Sequence, residues 1–129
     1  PRWSFAERSW VFPDELTIEH PSEFVPARTR WYVVVDGDHS AGNIAIYPAA
    51  DGGLTATFPH QSYNRPAGRG ALWRHGRLCL TVPWNERRHR ARALPPAAPE
   101  LRLRWTLERA REWLSRAARG ELHAAGDPY

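Results

Sequence analysis

The sequence predicts an α+β domain in which an antiparallel meander sheet precedes a C-terminal helix. β-branched and aromatic runs recur at short spacing between residues 30 and 58, turn residues separate them, and one long helical period occupies residues 100–119. Runs this close pair antiparallel, because a parallel crossover takes about a dozen residues or more. Strands gathered ahead of a helix give the segregated α+β pattern and not alternating βαβ units.

Residues 1–28 mix Trp3, Phe5, Trp10, Phe12 and Phe24 with acidic side chains, and Pro13, Pro21 and Pro26 leave room only for a short helix around residues 4–11. Arg30-Trp31-Tyr32-Val33-Val34-Val35-Asp36 reads as a strand closed by the turn Asp36-Gly37-Asp38. Asn43 to Pro48 is a second strand, and Asp51-Gly52-Gly53 turns the chain into a third, Leu54 to Phe58. Residues 59–70 are polar, rich in turn formers and without period, hence a loop. Leu78-Cys79-Leu80-Thr81-Val82 is a short extended run between Gly76 and Pro83, so Cys79 faces away from Leu78 and Leu80. Residues 85–99, Arg-rich and then Pro-rich, read as a loop or a helical turn. From Glu100 to Arg119, Leu103, Leu107, Ala110, Leu114 and Ala117 recur at helical spacing, opposite Arg104, Glu108, Arg111 and Glu112. Pro99 stands ahead of the first turn, and Gly120 stands where a C-terminal cap belongs.

With 129 residues, 42% hydrophobic and 25% charged, the chain fits one domain over residues 1–129. Its tail, Glu121 to Tyr129, is too poor in apolar residues to finish a core, as expected of a domain cut from a longer chain. Charged and proline residues interrupt every apolar run before it reaches the roughly 20 residues of a membrane span. No basic start leads into an apolar segment, so neither a membrane association nor a signal peptide is expected, and the expected location is the cytoplasm. A single cysteine excludes an internal disulfide and a Cys-rich zinc site. All 18 basic side chains are arginine, and the net charge is +4. Residues 1–59 hold 4 Arg against 8 acidic residues, whereas residues 60–119 hold 14 Arg against 4. The second half is therefore a positive surface, open to an acidic partner or simply solvated.

Most chemical signatures are missing. There is no GxxxxGK[ST] run, and Gly68-Arg69-Gly70 lacks the third glycine and the strand-to-helix setting of a dinucleotide loop. The six histidines form no HExxH pair, and no serine sits in GxSxG. Neither a metal nor a cofactor is expected. Cys79 stands apart: it is the one thiol, it follows a glycine turn, and Arg74, His75 and Arg77 lie within five residues of it, a setting that favours thiolate.

Gly76-Arg77-Leu78-Cys79-Leu80 followed by Trp84, with Phe58-Pro59-His60 and Tyr63-Asn64 upstream, resembles the active-site stretch of ubiquitin-conjugating enzymes. The wording Phe58-Pro59-His60-Gln61 and Gly76-x-Leu78-Cys79-Leu80 is similar to the bacterial branch found in ubiquitin-like conjugation operons. Residues 30–84 carry most of the likeness. The stretches around Trp113-Leu114 and Gly120-Glu121-Leu122, and the end Gly126-Asp127-Pro128-Tyr129, resemble that branch too. An intact His-Pro-Asn is absent before Cys79. The resemblance implies a ubiquitin-conjugating (UBC) fold, its meander sheet packed against helices. It also implies an acyltransferase in which Cys79 accepts a ubiquitin-like protein as a thioester from a ThiF-type activating enzyme and passes it to an amine on a target protein. A JAB-type metalloprotease is a further implied partner. Asn64 and then His60 are the implied candidates for the oxyanion contact, while Trp84 is expected to pack. The Arg-rich stretch 85–92 is expected to be solvated, with a role in the approach of partner or target as the sharper alternative.

Two other readings stand beside this one. The first is a non-catalytic module of the same fold that binds a ubiquitin-like protein or its activating enzyme with Cys79 buried. The second is a basic nucleic-acid-binding module using the tryptophans as stacking platforms. Acidic residues within 100–119 and the lack of any RNP, KH or helix-turn-helix pattern weigh against nucleic acid.

Overall fold

A computed structural model of the chain describes residues 2–4, 9–36, 44–80 and 98–122. Four strands, β1 (Arg2–Ser4), β2 (Ser9–Thr17), β3 (Arg28–Asp36) and β4 (Ile44–Pro48), form a sheet in the order β1-β2-β3-β4. Every neighbouring pair is antiparallel. With the helix α1 (Pro99–Arg119), the meander makes the α+β architecture that the sequence predicts.

The predicted strand over residues 30–36 is the core of β3, and the predicted strand ending at Pro48 is β4. Of the short helix expected around residues 4–11, the described residues form none: Ser4 ends β1 and Ser9 already opens β2, while residues 5–8 lie outside the described residues. Trp10, Val11 and Phe12 have strong strand preference, and they meet Val35, Val34 and Val33 across the β2–β3 ladder. Pro13 does not break this strand. Among the described residues β1 covers only Ser9 to Val11 on the outer side of β2, and Pro13 beyond it is exposed, at an edge where a missing N–H costs no ladder bond.

The strand expected over residues 54–58 is also absent. The edge of β4 that it would occupy belongs instead to residues 72–78. Ala50 N donates to Leu72 O (2.9 Å), Arg74 N to Pro48 O (2.8 Å) and Leu78 N to Ile46 O (3.1 Å). The carbonyls of Leu54 and Ala56 accept instead from the Asn64 side chain and the Thr57 hydroxyl from the Asn64 backbone N–H, and residues 54–57 form no ladder there.

α1 begins with Pro99 in its first turn and ends at Gly120, whose left-handed φ of 70° lets its N–H reach back to the carbonyl of Ala117. Its inner face, Thr106, Ala110, Trp113, Leu114 and Ala117, is buried. Trp113 is the centre of the core: Trp31 of β3 meets it edge-on at 6.5 Å and Phe58 at 6.0 Å. Leu16, Val33, Ile46, Leu54, Leu78 and Leu80 complete the same cluster. The residues on both sides of Cys79 are thus part of the main core, which fixes the segment that bears the thiol. No helix of the described residues is long and apolar enough to cross a membrane.

Candidate functional site

Cys79 lies on an extended segment whose side chains alternate in burial. Leu78 and Leu80 are buried and Cys79 is exposed, as the alternation in the sequence predicts. Four hydrogen bonds fix the segment. Cys79 N donates to His60 O (2.9 Å) and Ser62 N to Arg77 O (2.9 Å), which brackets an antiparallel bridge between Gln61 and Leu78. On its other side Leu78 N donates to Ile46 O of β4. From the helix, Arg109 Nε donates to Leu80 O at 2.9 Å.

His60 thus stands directly across from Cys79, joined to it through the backbone. Its φ of 61° is the one positive value at a non-glycine residue among those described. A left-handed bend at a β-carbon-bearing residue costs about 1 kcal/mol or more, and such bends persist where the surroundings over-determine them. Here the bend reverses the chain between Phe58, which packs on Trp113, and the bridge to the Cys79 segment.

Asn64 is buried, and its polar atoms are all engaged. Nδ2 donates to Leu54 O (2.7 Å) and Ala56 O (2.9 Å), Oδ1 accepts from Arg74 Nε (2.8 Å), and the backbone N donates to Thr57 Oγ1 (2.8 Å). Arg74 also reaches the Asn64 carbonyl at 3.1 Å. Gln61 closes the arrangement: its Oε1 accepts from Phe58 N (2.9 Å) and its Nε2 donates to Gly76 O (3.0 Å). The two amide side chains therefore fasten the 54–64 loop to the turn that leads into Cys79. An oxyanion contact from Asn64 would require one of its two carbonyl bonds to be released.

That turn needs a glycine for lack of space. A β-carbon on Gly76 would come within 2.6 Å of Gln61 Nε2 and 2.7 Å of Asn64 Cγ. Around it, His75 N donates to Arg65 O (3.0 Å), which brings the 59–70 loop alongside. Arg77 N bonds the His75 carbonyl (2.7 Å), a tight three-residue turn at Gly76.

The thiol feels two opposed influences. Protein packed around the sulfur shields it from water and pushes its pKa up, while the Arg77 guanidinium pulls it down, and shielding wins. The side chain is nonetheless solvent-accessible, so partial shielding of the sulfur and an open path to it coexist. The cationic neighbourhood read from the sequence is therefore present but does not by itself yield a low-pKa thiolate. Trp84, Asn85 and the arginines of 85–92 lie outside the described residues, as do residues 126–129.

Gln61, Arg74 and Arg109, absent from the sequence-based candidates, prove to hold the Cys79 segment. Arg109 left a usable signal, because it lies on the helix edge flanked by the buried Thr106, Ala110 and Trp113, where a purely solvated arginine is out of place.

No protein-family model matches this chain. Over 124 residues, 95% of its length, the chain is 31% identical to the ATP-dependent ubiquitin transferase-like protein Cap2 of Enterobacter hormaechei subsp. hoffmannii, of whose own length it spans 20%. The chain is thus similar, along nearly all of its length, to one fifth of a bacterial ubiquitin-transferase-like protein.

Proposed function

We propose that the chain is the ubiquitin-conjugating-like (UBC-fold) part of a bacterial ubiquitin-like conjugation system, with Cys79 as an acyl carrier. The observation that carries this reading is an exposed thiol on a segment whose two flanking leucines are locked in the core. The similarity to a ubiquitin-transferase-like protein supports it. The thiolate of Cys79 attacks the C-terminal acyl group of a ubiquitin-like protein presented as a thioester by a ThiF-type activating enzyme. The new S–C bond forms as the bond to the donor sulfur breaks, and the donor leaves as a thiol. An amine of a target protein later attacks the Cys79 thioester, and Cys79 leaves as a thiol again.

Neither step draws on a metal or a nucleotide at this site, because the incoming thioester already carries the free energy. What the domain supplies is position. A raised thiol pKa suits a carrier in two ways: the thiolate, once formed, is the stronger nucleophile, and the thioester made on it is slower to leave. Asn64 and His60 are the candidates for the oxyanion contact; the His60 carbonyl accepts from the Cys79 amide, and Asn64 anchors the 54–64 loop that carries His60. The proposed setting is the cytoplasm, with a JAB-type protease as a further partner. An exposed Cys79 favours this carrier over a binding-only module with a buried thiol.

The test is intact-mass and non-reducing gel analysis after incubation with ATP, the activating enzyme and the ubiquitin-like protein encoded beside it, with Cys79→Ser alongside. A reductant-labile adduct of modifier mass, lost or made reductant-resistant in Cys79→Ser, is expected. Absence of an adduct with an active activating enzyme would sink the proposal.

A further inference from the structure

Between Asp51 and Glu86 the chain has no acidic residue, yet it carries Arg65, Arg69, Arg74 and Arg77 together with His60 and His75. Arg74 is committed inward, to Asn64. Arg65, Arg69, His75 and Arg77 are exposed, and none of them forms an ion pair among the described residues. Four arginines elsewhere do find acids, Arg30 at Asp51, Arg109 and Arg116 at Glu112, and Arg119 at Glu121, while Arg28, Arg104 and Arg111 form no ion pair among the described residues. The stretch that leads into the thiol thus carries exposed positive charge with no acidic residue of its own to offset it.

The backbone places these charges relative to Cys79. Arg77 and Cys79 are two apart on the extended segment and point the same way, out from the buried Leu78 and Leu80, so their Cα atoms are separated by about 6.7 Å. The charge of Arg77 is felt at the sulfur. Arg65 is brought to the far side of the Gly76 turn by the bond from His75 N to its carbonyl. A cationic track thus leads along the surface and ends at the nucleophile.

Building on the acyl-carrier reading, we infer that this rim selects an acyl donor whose C-terminal tail bears acidic side chains just ahead of its terminal acyl group. The covalent bond to Cys79 fixes where such a tail ends. An extended tail lying back over the segment then places side chains two to four residues from its end within reach of Arg77, His75 and Arg65. Carboxylates there supply the acids that residues 52–85 lack. The occupant is a polypeptide and not a nucleic acid, because the track converges on a thiol suited to acyl exchange and the one exposed aromatic side chain in the 59–70 loop is Tyr63.

Peptide thioesters test this without any activating enzyme. Three peptides of equal length ending in a glycine thioester are used, with acidic, neutral or basic residues at the second to fourth positions from the end. Each is incubated with the protein at low salt, and transfer to Cys79 is followed by intact mass. In each transfer the Cys79 thiolate bonds to the acyl carbon, the bond to the peptide's original thiol breaks, and that thiol takes up a proton. The acidic peptide is expected to react about 3- to 10-fold faster than the neutral one and the basic peptide more slowly. The ordering should collapse in about 0.5 M salt and in the Arg65→Gln/Arg77→Gln variant. Equal rates for the three peptides would overturn this inference and leave the acyl-carrier reading standing. Failure of every peptide, with the protein folded, would overturn that reading and this inference with it. An RNA oligonucleotide that binds the protein, blocks transfer and is lost in the same variant would assign the rim to nucleic acid, and the inference would fall.

Discussion

Arg109 Nε donates to the carbonyl of Leu80 at 2.9 Å, so the helix holds the residue that follows Cys79. The guanidinium lies 3.8 Å from Glu112, which in turn meets Arg116 at 3.3 Å, and only about a tenth of the Arg109 side chain is exposed. The ion pair shares a half-exposed carboxylate and contributes little. The carbonyl bond matters more, because Leu80 is itself buried and its oxygen loses a partner when the guanidinium is removed.

Replacing Arg109 by Gln is accordingly expected to destabilise the protein by about 1–3 kcal/mol, read from urea unfolding. Charging of Cys79 should fall further than the folded fraction does, since the segment loses its tie to the helix. Arg109→Lys keeps the charge without the planar fork and should recover only part of the loss. A variant as stable and as readily charged as the original chain would show that the Leu80 contact is incidental.

Gly76→Ala tests the close approach on the other side of Cys79. The added β-carbon would sit 2.6–2.8 Å from Gln61 Nε2 and from Cγ and Cβ of Asn64, and Asn64 cannot swing away because its amide is bonded on three sides. Overpacking of this kind costs about 1–3 kcal/mol. The thermal midpoint should drop, and the bridge between Gln61 and Leu78 should exchange its amide protons faster. An unchanged midpoint would mean that the turn relaxes freely and holds nothing in place.

The parts of this fold that were legible from sequence are those set by local period. The β-branched run of β3, the span of α1 with its Gly120 cap, and the alternation of Leu78, Cys79 and Leu80 each repeat with the geometry of their own element. Leu54-Thr55-Ala56-Thr57-Phe58 alternates just as well, yet forms no strand. Its pairing edge is taken by residues 72–78, and the side chain of Asn64, ten residues from Leu54, takes the carbonyls a neighbouring strand would have taken. No local pattern reports that competition. Ser4 and residues 9–11 join strands for the opposite reason: in the sequence the prolines only limit a helix, while the edge position that lets Pro13 sit in a strand appears when β1 and β2 pair. Within the site, Cys79 was legible as the one thiol beside a glycine turn. The amides of Gln61 and Asn64 and the guanidinium of Arg74 that hold it were not, since polar side chains on a loop look solvated until the chain closes on them; of the residues that hold it, Arg109 alone had a helical position that marked it.

Asn64 and Arg74 should behave as a coupled pair. Asn64→Ala strips the carbonyls of Leu54 and Ala56 of their donor and leaves the half-buried Arg74 guanidinium without its amide acceptor, a loss of about 2–4 kcal/mol. Arg74→Ala alone removes one partner of Oδ1 and should cost less. A double-mutant cycle in chemical denaturation is expected to give a coupling of about 0.5–3 kcal/mol, and strict additivity would argue that the 2.8 Å contact contributes nothing to stability.

The ionisation of Cys79 supplies the last prediction. Shielding by surrounding protein raises its pKa, and Arg77 partly offsets that. The rate of alkylation by iodoacetamide, which follows the thiolate, should therefore still be climbing at a pH where the urea-unfolded chain has levelled off. Removing the offsetting cation in Arg77→Gln shifts the profile further up, and near pH 8 the alkylation rate should fall by roughly twofold for a charge this exposed. The same shift bears on stability. The folded chain keeps the thiol proton to a higher pH than the unfolded chain does, so unfolding releases a proton in the interval between the two pKa values. Stability should decline as the pH rises through the ordinary thiol range, and level off once the folded thiol has ionised as well. Cys79→Ser should lack this decline while retaining any due to other groups. A folded-state alkylation profile lying below that of the unfolded chain would reverse the sign, and would make Arg77 the dominant influence on the sulfur.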